Sequence, residues 1–261
     1  MWQTVADDLR RRIADGEWPP GRALPPPQEL RRRYAAEGPG ALRQALAVLV
    51  AEGLIAVHPG QGPYVRSPRR RIRRECGSHQ WEKDRARASD EIRRGTGATE
   101  RQTGLAVTDL VFSIDYAERR ASGELAAAFG VAPGTPLVER VYRTRCATEP
   151  VPMSLVRSYL VREHVAANPD LLSPACEPWP GGTQAQLLTV GIELERVVER
   201  VTGARPPTRE EAALLGMGPG MAVLLLRKTC VDTAGRVVEV ADVTLPGDRA
   251  EFVCTTRLAR W

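Results

Sequence analysis

Apolar residues in the first quarter of the chain recur at helical spacing, then switch to alternation. Trp2, Val5, Leu9 and Ile13 mark one face of a helix that Asp15 and Gly16 end. Leu30 and Tyr34 turn inward from a second helix over 24–34, with Arg31, Arg32 and Arg33 mostly outward. Leu42, Leu46, Leu49 and Val50 fall at i, i+4, i+7 and i+8 of a third, with Pro39 in its first turn and Gly53 at its stop. Residues 54–57 then read as a strand, 59–62 as a tight turn, and Tyr64 and Val65 as the returning strand. Periodicity fades over 67–100, a charged stretch expected to be a linker with at most one short element near Trp81. Beyond Leu105, strands are expected at 110–116, 137–146, 151–160, 195–202, 221–231 and 237–245. Helices are expected from Ser122 through Phe129, over 183–190, and from the capping-box start Thr208 to Leu215.

Part of this second pattern repeats. Aligning Gly134 with Gly220 superposes LAAAFGVAPGTPLVERV on EAALLGMGPGMAVLLLR, a helix, a Pro-Gly turn and a β-hairpin met twice. Two such halves can fuse into one antiparallel sheet. The front of the chain, helices followed by a glycine-tipped hairpin, has the form of a winged helix-turn-helix, which usually reads DNA.

Charge sharpens that reading. Residues 1–75 hold 14 arginines against 8 carboxylates, and the remainder holds 23 basic and 24 acidic residues, so the net +5 lies at the front. Phosphate contacts need such an asymmetry. At 43% hydrophobic and 26% charged, the composition is that of an ordinary soluble protein. No apolar run approaches the ~20 residues that span a bilayer, and the polar, amphipathic N-terminus does not look like a signal peptide. Five scattered cysteines without CxxC spacing favour reduced thiols in a cytoplasm over a disulfide frame or a zinc site. No cofactor or metal is expected. The three histidines suggest no triad, and there is no P-loop, GxGxxG or HExxH, so catalysis is not expected.

Particular residues make the front resemble the winged-helix domain of GntR-type bacterial regulators. They are Val5 to Arg10, Pro20-Gly21, Leu24-Pro25, Glu29-Leu30, the run LRQAL from Leu42, Glu52 to Ile55, and Gly60-Gln61-Gly62. The resemblance implies DNA contacts from Arg43, Gln44 and Gly40 on the reading helix, from Arg31 and Arg32, and from Gln61 and Gly62 on the wing. One departure bears on specificity. Where the family usually starts its reading helix with Ser-Arg, this chain has Glu37, Gly38, Pro39, Gly40 and Ala41. An arginine fork to guanine discriminates bases by ~1–3 kcal/mol; without it, the domain reads an unusual operator, leans on phosphate contacts and DNA shape, or has lost DNA binding.

The rear half, through FGVAPGTPLVER, RTRCATEPV, PGGTQAQL and GRVVEVADVTLPGDRAEF, resembles the UTRA effector-sensing domain of the HutC branch of that family. That implies an α+β fold of chorismate-lyase type, with a small effector on the concave face of an antiparallel sheet. By motif, Arg143, Arg145, Ser154, Ser158, Thr183 and Glu239 are the expected effector contacts, the two arginines projecting from one face of a strand. Ser154, Ala185 and Leu245 stand where sugar-phosphate-sensing relatives hold a carboxylate and two tyrosines, so a bulkier, partly apolar effector with one acidic group is expected. The expected α+β architecture is therefore a winged helix-turn-helix domain over 1–68, a linker over 69–100 and a UTRA domain over 101–261. The expected function is a cytoplasmic, effector-responsive repressor that binds double-stranded operator DNA as a homodimer. The alternative is an effector-binding or protein-interaction module whose winged helix no longer reads DNA.

Overall fold

The computed structural model describes residues 1–38, 40–58, 62–218 and 220–259. The placements expected for Pro39, for Pro59, Gly60 and Gln61, and for Pro219 lie outside the described residues. Two compact units account for the chain: Met1–Arg69 with Pro206–Ala222, and Arg70–Arg205 with the residues from 223 onward.

In the first unit, α1 (Trp2–Ala14), α2 (Pro27–Arg33) and α3 (Ala41–Ala51) precede a hairpin of β1 (Ile55–His58) and β2 (Gly62–Val65). The second helix starts three residues later than its apolar pattern suggests. Pro26 keeps extended backbone (φ −54°, ψ 146°) ahead of Pro27, the first helical residue, as a residue before proline avoids the helical region. Val5, Leu9, Leu30, Leu42, Ala45, Leu49, Ile55 and Val65 form the core. The hairpin pairs Ile55 with Val65 and His58 with Gly62.

The second unit begins where a linker is expected and is ordered there. It opens with β3 (Ile72–Glu75), α4 (Ser78–Ala86), α5 (Asp90–Gly95) and α6 (Ala98–Thr103). Then follow β4 (Leu110–Arg120), α7 (Gly123–Phe129), β5 (Pro136–Cys146), β6 (Ser154–Val161), the single turn α8 (Arg162–Val165) and α9 (Gly182–Leu188). The chain closes with β7 (Leu194–Arg205), α10 (Arg209–Leu214, in the segment that completes the first unit), β8 (Val223–Asp232), β9 (Val237–Pro246) and β10 (Ala250–Val253). Six strands make one antiparallel sheet in the order β4-β5-β6-β9-β8-β7. The order runs outward from the central β6–β9 pair in mirror fashion, as fusion of two duplicated halves requires. The first copy's helix packs Ala126 and Phe129 against Leu137, Val161 and Val240, whereas α10 groups with the first unit.

The expected linker is ordered because β3 pairs in parallel with β10, Ile72 opposite Ala250 and Glu75 opposite Val253. Ile72 is buried with Leu110, Met153, Leu226, Val243 and Leu245. One residue beyond each strand, Cys76 and Cys254 form a disulfide, where cysteine spacing favours reduced thiols. Their partnership spans 178 residues and exists only through the β3–β10 ladder, which local spacing cannot reveal.

Leu49 is fully buried in the first unit. Leu49→Ala is expected to cost about 2–5 kcal/mol by cavity formation, measured by denaturant titration of the full chain, with the loss confined to the transition of the first unit.

Candidate functional site

Two surfaces carry chemistry, one in each unit. On α3 the apolar periodicity buries Leu42, Ala45 and Leu49, leaving Arg43 and Gln44 exposed. Arg31 and Arg32 are exposed on α2. The arginines of α1 are neutralised: Arg10 pairs with Glu52, Arg11 with Asp8, and Arg12 with Glu17 while its guanidinium lies 4.5 Å from the Trp18 ring centre. Among the described residues, by contrast, Arg31, Arg32, Arg33 and Arg43 take part in no ion pair. Cations left without carboxylates around a helix-turn-helix are available to phosphates. Gly40 precedes α3 without a side-chain cap. Gly62 has φ +72° with open space where a Cβ would stand, so the backbone alone fixes the wing's return there. Gln61 lies outside the described residues.

In the second unit, one face of the sheet and the segment 72–103 enclose a cavity of about 940 Å³. Alternation along each strand decides what enters it. Phe112 and Ile114 of β4, Tyr142 and Thr144 of β5, Ser154, Val156 and Ser158 of β6, Lys228 and Cys230 of β8, and Glu239, Ala241, Val243 and Leu245 of β9 all line it. The β3 residues Ile72 and Arg74, the α4 residues His79 and Glu82, Arg93 and Arg94 of α5, and Thr183 at the start of α9 are also in its wall.

The cavity gathers Ser154, Ser158, Thr183 and Glu239 of the expected contacts. It does not gather Arg143 and Arg145, and this corrects the expectation. Odd-numbered positions of β5 face away from the lining residues Tyr142 and Thr144. Arg143 there pairs with Asp115 and donates to Ser113. Arg145 donates to the carbonyls of Cys146, Ala147 and Glu149. The two arginines do share a face, as their spacing requires, but it is the opposite one. Of the positions compared with sugar-phosphate sensors, Leu245 lines the cavity beside Ser154, while Ala185 is buried outside its lining.

On β5 the arginine of the cavity side is Arg140, which sequence reasoning passed over. It is fully buried and donates to Glu239 (2.8 Å), Ser158 (2.6 Å), Gln186 (2.6 Å) and Thr183 (3.4 Å). Lys228 approaches the other oxygen of Glu239 at 2.9 Å, and the Cys230 thiol donates to it at 3.2 Å. Burial alone would raise the Glu239 pKa, but the Lys228 and Arg140 charges bring it down to about 2. Glu177 collects the hydroxyls of Tyr116 (2.7 Å) and Tyr142 (2.9 Å) and the amide of Gln186 (2.8 Å). The signal for Arg140 was present: it shares strand parity with the lining residues, and Glu239 is the lone acid in the apolar run VVEVA, which demands a buried cation.

A second charged group lies beside α4. His79 stands 3.4 Å from Glu82 and 3.3 Å from Glu199, which Arg74 also meets. Burial favours the neutral imidazole and Lys228 opposes its charge, yet the Glu199 and Glu82 carboxylates prevail and hold the His79 pKa up to about 9. For Glu199, burial is likewise outweighed by His79 and Arg74, which depress its pKa to about 2.

Comparison with known proteins identifies both domains. Residues 2–65 match the family model described as bacterial regulatory proteins of the gntR family, and residues 112–251 match the UTRA domain model. An uncharacterized HTH-type transcriptional regulator of Streptomyces coelicolor is 30% identical over 247 residues, covering 92% of this chain and 86% of its own. The HTH-type transcriptional repressor NagR of Bacillus subtilis is 26% identical over 259 residues, 97% of this chain and 93% of its own. A crystal structure assigned to the GntR-family transcriptional regulators superposes with a TM-score of 0.65 at 28% identity, covering 99% of this chain and 98% of the other.

Two expectations follow for stability. Because the His79 pKa is raised from 6.5 to about 9, its contribution is fully present below pH ~6.5 and is lost as pH rises through about 9. Circular-dichroism melts from pH 6 to 10 should show this decline, at most about 3 kcal/mol, and His79→Gln should flatten it. Glu239→Gln leaves Arg140 and Lys228 without their carboxylate, and a loss of about 3–5 kcal/mol in chemical denaturation is expected.

Proposed function

The chain belongs to the GntR family of bacterial regulatory proteins and carries a UTRA domain, and from that premise we propose which residues make it a ligand-responsive DNA-binding transcriptional regulator. Arg43, Gln44, Arg31, Arg32, Gly40, Gln61 and Gly62 form the operator surface, the two glycines letting the backbone come close. The observation that carries this reading is the contrast between the paired arginines of α1 and the unpaired ones of α2 and α3. The units work as a homodimer on a palindromic operator, since two-fold helix-turn-helix proteins match two-fold sites. The protein acts in the cytoplasm as a repressor; no helix among the described residues is long and apolar enough to cross a membrane. We assign it no catalysis, because likeness of fold carries no chemistry by itself.

The effector occupies the cavity of the second unit. Its apolar body packs on Phe112, Ile114, Val156, Val243 and Leu245, and its acidic group reaches Lys228, with Ser154 and Thr183 supplying hydroxyls. Among the described residues Glu239 is the one ion-pair partner of Lys228, so an ammonium with three N–H donors keeps capacity for an incoming anion. Arg140 is a positioning residue, sealed behind the wall and holding Ser158, Thr183 and Glu239 in place. The cavity communicates with the DNA-binding unit along the chain itself. Ile72 and Arg74 line it only a few residues after the first unit ends at Arg69. An effector that fits one arrangement of β3 better than another shifts the population of DNA-binding dimers.

Selection from random duplexes should yield a palindrome, and Arg43→Ala should weaken binding to it roughly 5- to 100-fold without altering the melting temperature. Equal binding of all duplexes at low salt would favour the module that no longer reads DNA. In thermal-shift screening, compounds joining one carboxylate or phosphate to an apolar body should stabilise the wild type, and Lys228→Met should lose the shift. Stabilisation by small sugar phosphates alone would refute the effector class.

A further inference from the structure

Cys76 and Cys254 sit at the next register position after Glu75 and Val253, the last pair of the β3–β10 ladder. Their Cα atoms are 5.1 Å apart, within the span a disulfide bridges, and the Cys76 amide donates to the Val253 carbonyl at 3.1 Å. Both residues are exposed. Cys146 and Cys230, by contrast, are buried. A protein that binds operator DNA works in a compartment whose thiol pools reduce disulfides, and an exposed disulfide there is transient rather than a permanent staple.

We propose that Cys76 and Cys254 form a reversible thiol–disulfide site that fastens the C-terminal strand β10 to β3 and thereby stiffens a wall of the effector cavity. The inference rests on the intracellular, DNA-binding reading above for the claim that the bond turns over. A two-stranded ladder of four residues is marginal by itself, so the crosslink decides how firmly β10 is held. The stake is the cavity. β3 places Ile72 and Arg74 in its wall, and the carbonyl of Arg249, just before β10, accepts the Ile72 amide.

The oxidant is a low-molecular-weight disulfide such as oxidised glutathione. The thiolate of one cysteine attacks a glutathione sulfur, forming a mixed disulfide and releasing one reduced glutathione. The thiolate of the other then attacks the protein sulfur of that mixed disulfide, closing Cys76–Cys254 and releasing a second. Two protein thiols are oxidised, one glutathione disulfide is reduced to two thiols, and both protein protons leave. An excess of dithiol runs the sequence backwards.

The test uses the full chain, equilibrated in glutathione buffers from mostly oxidised to mostly reduced. Peptide mapping after thiol blocking should find a Cys76–Cys254 crosslink that disappears under reduction without denaturant and returns on reoxidation. The oxidised protein should melt roughly 5–10 °C higher than the reduced. Amide exchange over 72–75 and 250–253 should quicken on reduction. The C76S/C254S double variant should match the reduced wild type in both buffers, and Cys176→Ser should behave as wild type. Four results would overturn the proposal: both thiols staying free in oxidised glutathione, a crosslink resisting excess dithiol, a crosslink running through Cys176, or identical exchange in both states. None of these readouts involves DNA, so their failure is distinguishable from failure of the regulatory reading, which the duplex selection tests separately.

Discussion

The second unit is organised around one buried carboxylate. Glu239 of β9 receives Lys228 and Cys230 from β8, Ser158 from β6 and, through Arg140, the reach of β5 and α9. Four adjacent strands and a helix therefore meet at a group of 1% exposure, and the network crosses the central β6–β9 pair where the duplicated halves join. Buried ions are a poor source of net stability, since desolvation offsets most of their attraction. Their effect here is on register. Slipping β9 by one residue against β6 or β8 would turn Glu239 to the opposite face and leave two cations unpaired in the interior. The apolar run of β9, buried on nearly every position, tolerates such a slip far better.

That constraint explains why the cavity has two kinds of wall. Close to Glu239 the side chains of Arg140, Lys228 and Ser158 are held by its carboxylate, and the lining is charged. Farther along the same strands, Val243, Leu245, Val156 and Phe112 present only carbon, and shape alone governs what fits. A ligand entering such a space is oriented by its polar end and selected by its apolar one. The His79–Glu82–Glu199 group, tied to β3 by Arg74, closes the side that changes most if α4 or β3 shifts.

Much of this was legible in the amino-acid sequence, and the misses have physical causes. Helical spacing located α1 and α3, and the PG-centred repeat foretold a sheet built of two like halves. The reading of 69–100 failed because β3 and β10 are short, β3 is polar at three of its four positions, and each depends on a partner strand far along the chain. Propensity sees neither half of such a pair. Arg143 and Arg145 illustrate a different failure. Their spacing correctly placed them on one face, but period-two alternation cannot say which face is concave. Arg140, three positions before Arg143, lies on the cavity side, and Glu239 signalled the need for it. Reading the strand from its acid outward, rather than from its conspicuous arginines, reaches the right face.

The same accounting of partners separates the two arginine populations at the front of the molecule. Guanidiniums on α1 have carboxylates within the unit and hold α1 against its neighbours, as Arg10 does with Glu52 near the end of α3. Those on α2 and at the start of α3 have none among the described residues, although Glu29 and Glu37 lie close by in sequence. A charge left unpaired at the surface costs little in water and retains its full attraction for phosphate. On the operator reading proposed above, those arginines supply phosphate contacts, and occupancy of DNA then falls steeply as salt rises.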